Sequence, residues 1–562
     1  MRASKSGTRA TASRIRIPSS LRRALLLLTP VLALAACGGG GDPSAVDGRA
    51  TDSKGSRVSE GTPQMATPTA GSGDTTVGVR SVENTPVATM PQHEGHERIG
   101  AGAPDAAPPT GPEFPVTEVA RTWVVSPSGD DAADGSEAAP FKTISHAITQ
   151  AGPGDVIRVL SGTYAEKIDL GDQVRAGEPG RPIILQGEGS PKLVPTPDGK
   201  LGLIDVKRPW WIIDGFVLDL QGQRRFAVTF QGNVEGSTLA NSELFGGTLG
   251  GAVTTFANAD GARIENNHIH DFTQGSVDSH GVVIQPTSRN VVIRHNDIHD
   301  TSGDSVQCLG PEGFSNDPPA RGVIIEGNHF FDTRENAVDI KTCYDVQIRY
   351  NRMHGFTATD SAKGDAVVVH YSASNVLVEE NDIYDAGTGI AVGGNREGAM
   401  PSGIVVRRNR IRDIHANGGA FGHGIRVENA QAPVISHNTV TNTTGPALVI
   451  GQGTGGPTQG ASVTNNLFDS AKGVRLGGQA PGLKTQANLF RTGATFEYNP
   501  GVDVIVTDFA GWNANHFPGS LEGAPLLGDG FSPGAPAIDR GTDVGEASCG
   551  SAPDIGAVET GC

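Results

Sequence analysis

Val291-Val-Ile-Arg-His-Asn296-Asp-Ile-His-Asp300 is the stretch on which the reading of this 562-residue chain turns. Its phrase is one or two β-branched residues, an Asn, any residue, then an apolar residue. The phrase recurs as Asn267-His-Ile, Asn328-His-Phe, Asn351-Arg-Met, Asn381-Asp-Ile, Asn409-Arg-Ile, Asn438-Thr-Val and Asn466-Leu-Phe. Ser242 takes the Asn slot one unit earlier and Asn488 one unit later, and the spacings run from 22 to 32 residues. A period in this range marks a stacked repeat. Each unit carries three short alternating segments, such as Val291-Val-Ile-Arg, Asp297-Ile-His-Asp and Ser305-Val-Gln-Cys, parted by Gly, Asn, Asp and Ser. Alternation over four or five residues is strand-like, and no segment holds an apolar stripe long enough for a helix. The pattern predicts an all-β chain, a single right-handed parallel β-helix of about 10–12 coils, rather than a leucine-rich or hexapeptide solenoid. The Asn column has a structural reason. At a sharp bend the amide bonds backbone and its own counterpart one coil away, and Asn tolerates left-handed φ. No catalytic role is assigned to it.

Outside the array the chain changes character. Residues 1–36 hold a basic segment (Arg14, Arg16, Arg22, Arg23) and an apolar run, Ala24–Ala33, too short for a permanent span, which together predict a signal peptide. Leu34-Ala-Ala-Cys37 before Gly38 resembles the lipobox of bacterial lipoproteins. That resemblance implies a lipid on Cys37 and, with Gly38, the outer membrane. Residues 37–121, rich in Gly, Pro, Ser and Thr, predict a disordered tether. His93 and His96 inside it are chance composition rather than a metal site. The formal charge is −17, and losing the seven basic residues of the first 36 makes it −24. So acidic a body excludes generic binding of nucleic acid or anionic membrane, leaving the lipid as the membrane contact. A monomer is expected.

The folded part is expected from Thr122: a cap with the first coils over 122–170, the β-helix over 171–490 and a closing segment over 491–562. In Pro140-Phe-Lys-Thr-Ile-Ser-His-Ala-Ile148, Phe141, Ile144 and Ile148 share a helical face with Pro140 at its start, which suits a lid over the first coil. With the repeats, this opening resembles the pectate-lyase-like parallel β-helix proteins of bacterial surfaces. The resemblance covers about Thr122 to Phe490 and implies the fold. Lyases, hydrolases, epimerases and inactive proteins share it.

Aligning units on Asn sets the third strand of each coil in columns. Val282/Ile284, Val306/Cys308, Val338/Ile340, Val367/Val369 and Ile425/Val427 should point inward. The outward positions then read Val283/Gln285, Gln307/Leu309, Asp339/Lys341, Val368/His370 and Arg426/Glu428. His280, Asp304, Asn336, Asp365 and His423 stand at the strand entrances. With coils about 4.8 Å apart, the acidic stripe should lie beside Asp339, with Lys341 and His370 as neighbours. This chemistry suits an acidic polysaccharide. β-Elimination from a uronate needs a base for the C5 proton and a cation for the developing enolate. Lys341 is the candidate base, with His370 beside it. Asp304, Asn336, Asp339 and Asp365 offer the oxygens Ca²⁺ prefers, and His280, Gln307, His423 and Arg426 are candidate substrate contacts. Asp339 would raise the Lys341 pKa unless a bound cation cancels its charge.

Glu335-Asn-Ala-Val-Asp339-Ile-Lys341-Thr also resembles the carboxylate-then-Lys strand of calcium-dependent polyuronate lyases of the alginate and chondroitin type. That resemblance implies Lys341 as base. The carboxylates are out of register with the motif, and His370 stands where those enzymes use Arg. Gly422-His-Gly424 and Asp278-Ser-His280 resemble fragments of galacturonan hydrolases and mannuronan epimerases, respectively. The rival reading is a non-catalytic glycan-binding or surface-structural β-helix, with the polar stripe as a solvated face. A second column, His270, His299, Phe331, His354, Tyr384 and Arg412, could stack on sugar rings. Of the five Cys, Cys308 should face the core and Cys343 a turn, while Cys549 and Cys562 are expected to pair in an oxidising compartment.

Overall fold

A computed structural model describes residues 119–197, 200–309, 318–360, 362–394, 399–453, 456–478, 480–501, 503–546 and 548–561. The expected signal peptide, almost all of the tether, Cys37 and Cys562 lie outside these residues. The described chain is a parallel β-helix of about 12 turns. Each coil gives one strand to each of three sheets, of 14, 15 and 14 strands. The first wall runs from Thr122–Val125 to Lys484–Gln486, the second from Ile168–Leu170 to Ile505–Thr507, and the third from Thr163–Ala165 to Leu521–Gly523. Neighbouring strands pair in parallel, except for Gly456–Pro457 and Ile505–Thr507, which pair antiparallel. One apolar core runs the length of the coil stack.

The Asn column is continuous. The Asn296 backbone N–H and Nδ2 both donate to Asn328 Oδ1, at 2.9 and 3.0 Å, while Nδ2 also reaches the Ile264 carbonyl at 2.9 Å. The same bonds repeat from Asn267 to Asn488. Left-handed backbone, however, falls on the preceding residue: Asn266, His295, Tyr350, Glu380, Arg408 and His437 all have φ between 52° and 58°. The ladder Asn must aim its amide along the stack, so the bend is completed one residue earlier. At Gly327 a glycine takes that position without penalty.

At the entrance a helix spans Ile144–Gln150 and buries Ile144, Ala147 and Ile148 against the first strands. It starts at Thr143 rather than Pro140. The Thr143 hydroxyl accepts the His146 N–H at 3.1 Å, and the Glu166 carboxylate accepts the next two amides, of Ile144 and Ser145. Phe141, expected inside the helix, is a buried residue bridged to Val125. At the far end the helix Phe509–Asn515 brings Trp512 onto Phe496, and Phe517 is buried beside it. The last segment closes along the side: Ile555 and Ala537 pack on Leu467 and Leu489, and Glu546 reaches Arg407 and Arg408.

Cys308 and Cys343 form a disulfide, which the sequence reading had left unpaired. Cys308 does face the core, and Cys343 is buried one coil later. The link closes 35 residues, so its loss is expected to cost about 4 kcal/mol by chain entropy. Guanidine unfolding of the oxidised protein against Cys308→Ala/Cys343→Ala measures it, since reductant would also open the disulfide at Cys549.

Candidate functional site

Backbone pairing puts the expected columns on the second wall. Val306 pairs with Val282 and Val338, and Gln307 with Val283 and Asp339; Asp339 pairs in turn with Val368. The inward residues Val282, Ile284, Val306, Cys308, Val338, Ile340, Val367, Val369, Ile425 and Val427 are all fully buried. One coil went unrecognised in the sequence. Thr388–Gly393 lies between Asp365–Val369 and His423–Glu428, so Thr388 separates Asp365 from His423 and Ala391 separates Val368 from Arg426. Its outward Ala391 and Gly393 carry no polar signal. The small Ala391 leaves room for Arg426 to approach across it, with Nη2 3.9 Å from Asp365 Oδ2.

The acidic stripe is bonded within itself. Asp304 Oδ1 accepts the Asn336 backbone N–H and Nδ2, at 3.1 and 2.9 Å, and Oδ2 accepts Gln307 Nε2 at 3.0 Å. Asn336 Oδ1 in turn accepts the Asp365 N–H at 3.1 Å. His370 Nε2 lies 2.8 Å from Asp339 Oδ1. Burial opposes the charge of Asp339, but His370 and then Lys341 outweigh it and hold the carboxyl below its ordinary range. Oxygens of Asp304, Asn336 and Asp339 expected to cage Ca²⁺ are therefore committed to protein partners. Among the described residues, Asp304, Asp339 and Asp365 do not form a group of ligand atoms within 4.8 Å of one another. These residues do not fit a preformed calcium cage.

Asp304 converges instead with His280 and Glu335, whose ligand atoms lie within 4.8 Å. His280 is buried in the wall, as are the other candidate contacts Gln307, His423 and Arg426. Burial disfavours the charge of His280, while Asp304, Glu335 and Asp278 raise its pKa. In the neutral ring, Nδ1 accepts the Asp304 N–H at 2.8 Å. The sequence reading missed Arg334, which clamps Asp278 at 2.6 Å and lies 3.7 Å from Glu335. Arg334 and Asp278 are 56 residues apart, so no local pattern links them. Arg426 also meets Glu428 at 3.1 Å. Lys341 and His370 remain half-buried and reachable from outside.

His423 is held neutral: burial, then Arg426, Arg475 and Lys472, push its pKa down to about 3. Its Nδ1 has no hydrogen-bond partner among the described residues. The unfolded chain takes up this proton near the ordinary imidazole value of 6.5, while the folded chain refuses it until about 3. The folded pKa is depressed, so stability is full above 6.5 and falls as pH drops towards 3. Denaturation midpoints are expected to fall between pH 7 and 4, and to fall less for His423→Phe.

The second aromatic column stands on the third wall. Phe245, His270, His299, Phe331, His354 and Tyr384 stack successively, with centroids 4.4–5.5 Å apart, and the Arg412 guanidinium caps Tyr384 at 3.8 Å. Each interior ring is covered on both faces by its neighbours. The faces a sugar ring would need are taken, which overturns the stacking expectation.

Residues 127–395 match a family model described as protein of unknown function (DUF1565), and residues 320–499 match one described as periplasmic copper-binding protein (NosD). The chain is 24% identical over 341 residues to the uncharacterized protein YwoF of Bacillus subtilis (strain 168), covering 51% of this chain and 68% of YwoF. Among solved structures it is similar to pectate lyase Pel9A (17% identity, TM-score 0.36, 78% of this chain and 96% of the lyase). It is also similar to the PL6 family alginate lyase AlyGC (16% identity, TM-score 0.49, 69% of this chain and 54% of that lyase). No helix of the described residues is long and apolar enough to cross a membrane.

Proposed function

We propose that the second wall binds an acidic polysaccharide and cleaves it by β-elimination, with Lys341 as the base. The observation that carries this reading is the Lys341–Asp339–His370 group on two adjacent rungs, with His370 Nε2 2.8 Å from Asp339 Oδ1. A base must lose its proton near neutrality, and a bare carboxylate beside Lys341 would oppose that. His370, 2.8 Å from Asp339 Oδ1, is placed to offset the Asp339 charge, the task assigned from sequence to a bound cation. Its ring N–H is also placed to favour negative charge developing on a uronate carboxylate. Lys341 would take the C5 proton, the C4–O bond would break as the C4=C5 double bond forms, and the leaving sugar oxygen would take up a proton from water. No step is routed through calcium.

Cys308–Cys343 and the bonded Cys549 suit an oxidising compartment, which supports an envelope or extracellular place, tethered through Cys37. A second reading, glycan binding without chemistry, is favoured by the internal saturation of Asp304 and Asn336. The deciding experiment incubates the protein with polyuronates and sulfated uronans in chelator and follows the ultraviolet absorbance of unsaturated product. Product formation supports elimination. Retained binding without product makes the wall a binding surface, and neither binding nor product removes the polysaccharide reading.

A further inference from the structure

The third wall concentrates histidine. Of the 15 in the chain, His268, His270, His299, His329 and His354 fall on four successive strands of that wall. The register staggers them. His268 stands in one outward column with Asp297 and His329, and His299 in the other with Phe331 and His354. Two diagonal pairs result, with the same geometry: His268 Nε2 lies 2.8 Å from His299 Nε2, and His329 Nε2 lies 2.8 Å from His354 Nε2.

The first pair has further donors around it. The His268, His270 and His299 rings lie 4.3–5.3 Å apart between centroids. Glu243, His268 and His270 bring one ligand atom each within 4.8 Å of one another. Two carboxylates orient the rings from behind. Asp271 Oδ2 lies 2.8 Å from His270 Nδ1, and Asp300 Oδ2 lies 2.7 Å from His299 Nδ1. An Nδ1–H that donates to a carboxylate leaves Nε2 as the basic nitrogen, the arrangement found behind metal-ligating histidines. These groups serve neither the second wall nor the Asn ladder.

We propose that His268, His270 and His299, with Glu243, bind a divalent transition-metal ion of the kind imidazole nitrogen suits, Zn²⁺ or Cu²⁺. Three nitrogens and one carboxylate oxygen are a donor set such ions accept. Ligand nitrogens about 2.0–2.1 Å from a tetrahedral ion stand about 3.3 Å apart, so the His268–His299 contact must open by about 0.5 Å, and the His299 nitrogen, outside the 4.8 Å group of Glu243, His268 and His270, must swing towards it. Burial, then His270 and His299, push His268 down to about 4 and keep it neutral, as a ligand must be. For His270, burial lowers the pKa, but Glu243 and Asp271 raise it further, so the ion must displace a proton there.

The test titrates chelator-treated full-length protein with Zn²⁺ and, separately, Cu²⁺ at pH 7.5. His93 and His96 are replaced by Gln throughout, so that those residues contribute nothing. The parent is expected to hold one ion that His268→Gln/His299→Gln loses, and nitrogen splitting in the Cu²⁺ resonance spectrum should go with it. Asp300→Asn touches only an exposed orienting carboxylate and is expected to weaken affinity about 10–100-fold. Should the double variant bind as many ions as tightly as the parent, or the parent bind none, the pairs are N–H···N hydrogen bonds and the proposal falls. If the double variant fails to fold, Asp300→Asn decides: unchanged affinity there also overturns it.

Discussion

Asn381→Ala is expected to lower stability by about 3–5 kcal/mol, because roughly two buried polar groups lose their partners at about 1–3 kcal/mol each and a cavity adds to that. Asn381 Oδ1 accepts both the backbone N–H and Nδ2 of Asn351, at 3.1 and 3.0 Å. Its own Nδ2 donates to the Ile348 carbonyl and to Asn409 Oδ1, at 3.0 and 2.9 Å. The site is completely buried, so water cannot replace what is removed. Asn381→Asp keeps an acceptor but replaces the donor with a buried charge, and should be at least as damaging. Asn375, on the surface of the same coil, is the control: among the described residues its side chain bonds Asp345, and with left-handed backbone (φ 56°) its loss to Ala should cost about 1–2 kcal/mol. Urea midpoints for the three variants check this. Equal losses at Asn381 and Asn375 would mean the ladder is decoration.

Lys341→Ala is expected to lower uronan cleavage by about 10²–10⁴-fold, the usual worth of a positioned base, with the melting temperature nearly unchanged. The side chain points outward and is half-buried, while the strand around it is held by Val338 and Ile340 in the core. His370→Gln separates the two roles assigned to that wall. It leaves the Asp339 charge uncompensated and raises the Lys341 pKa, so the rate should fall and the ascending, acid-side limb of the pH profile should move to higher pH. A structural role for His370 would lower stability without moving the profile. If Lys341→Ala retains the parent rate, elimination by this residue is excluded, whatever product is seen.

The Asn spacing made most of the architecture legible, because an inward amide can repeat only if coils stack in register. From that register came the columns of the second wall, and the pairings of Gln307 with Asp339 and of Asp339 with Val368 follow it. What escaped lay between columns or between coils. The Thr388–Gly393 rung carries small outward residues and left no polar mark. The Cys308–Cys343 link and the Arg334–Asp278 clamp join residues that only stacking brings together. The histidine pairs are diagonal, so neither column alone reveals them. The carboxylates show a further limit: sequence counts ligand oxygens, but cannot see that Asn336 and Gln307 already occupy those of Asp304.

The corner between the first and third walls holds two residues throughout the array: Arg294 and Asp297 flank one, Arg349 and Arg352 another, Arg407 and Arg410 a third. Coil length nevertheless varies from 22 to 32 residues. All that variation must therefore enter at the other two corners, which border the second wall. Insertions can lengthen the rims of that wall without shifting a single rung, so descendants of this scaffold can trade one ligand for another while the stack beneath keeps count.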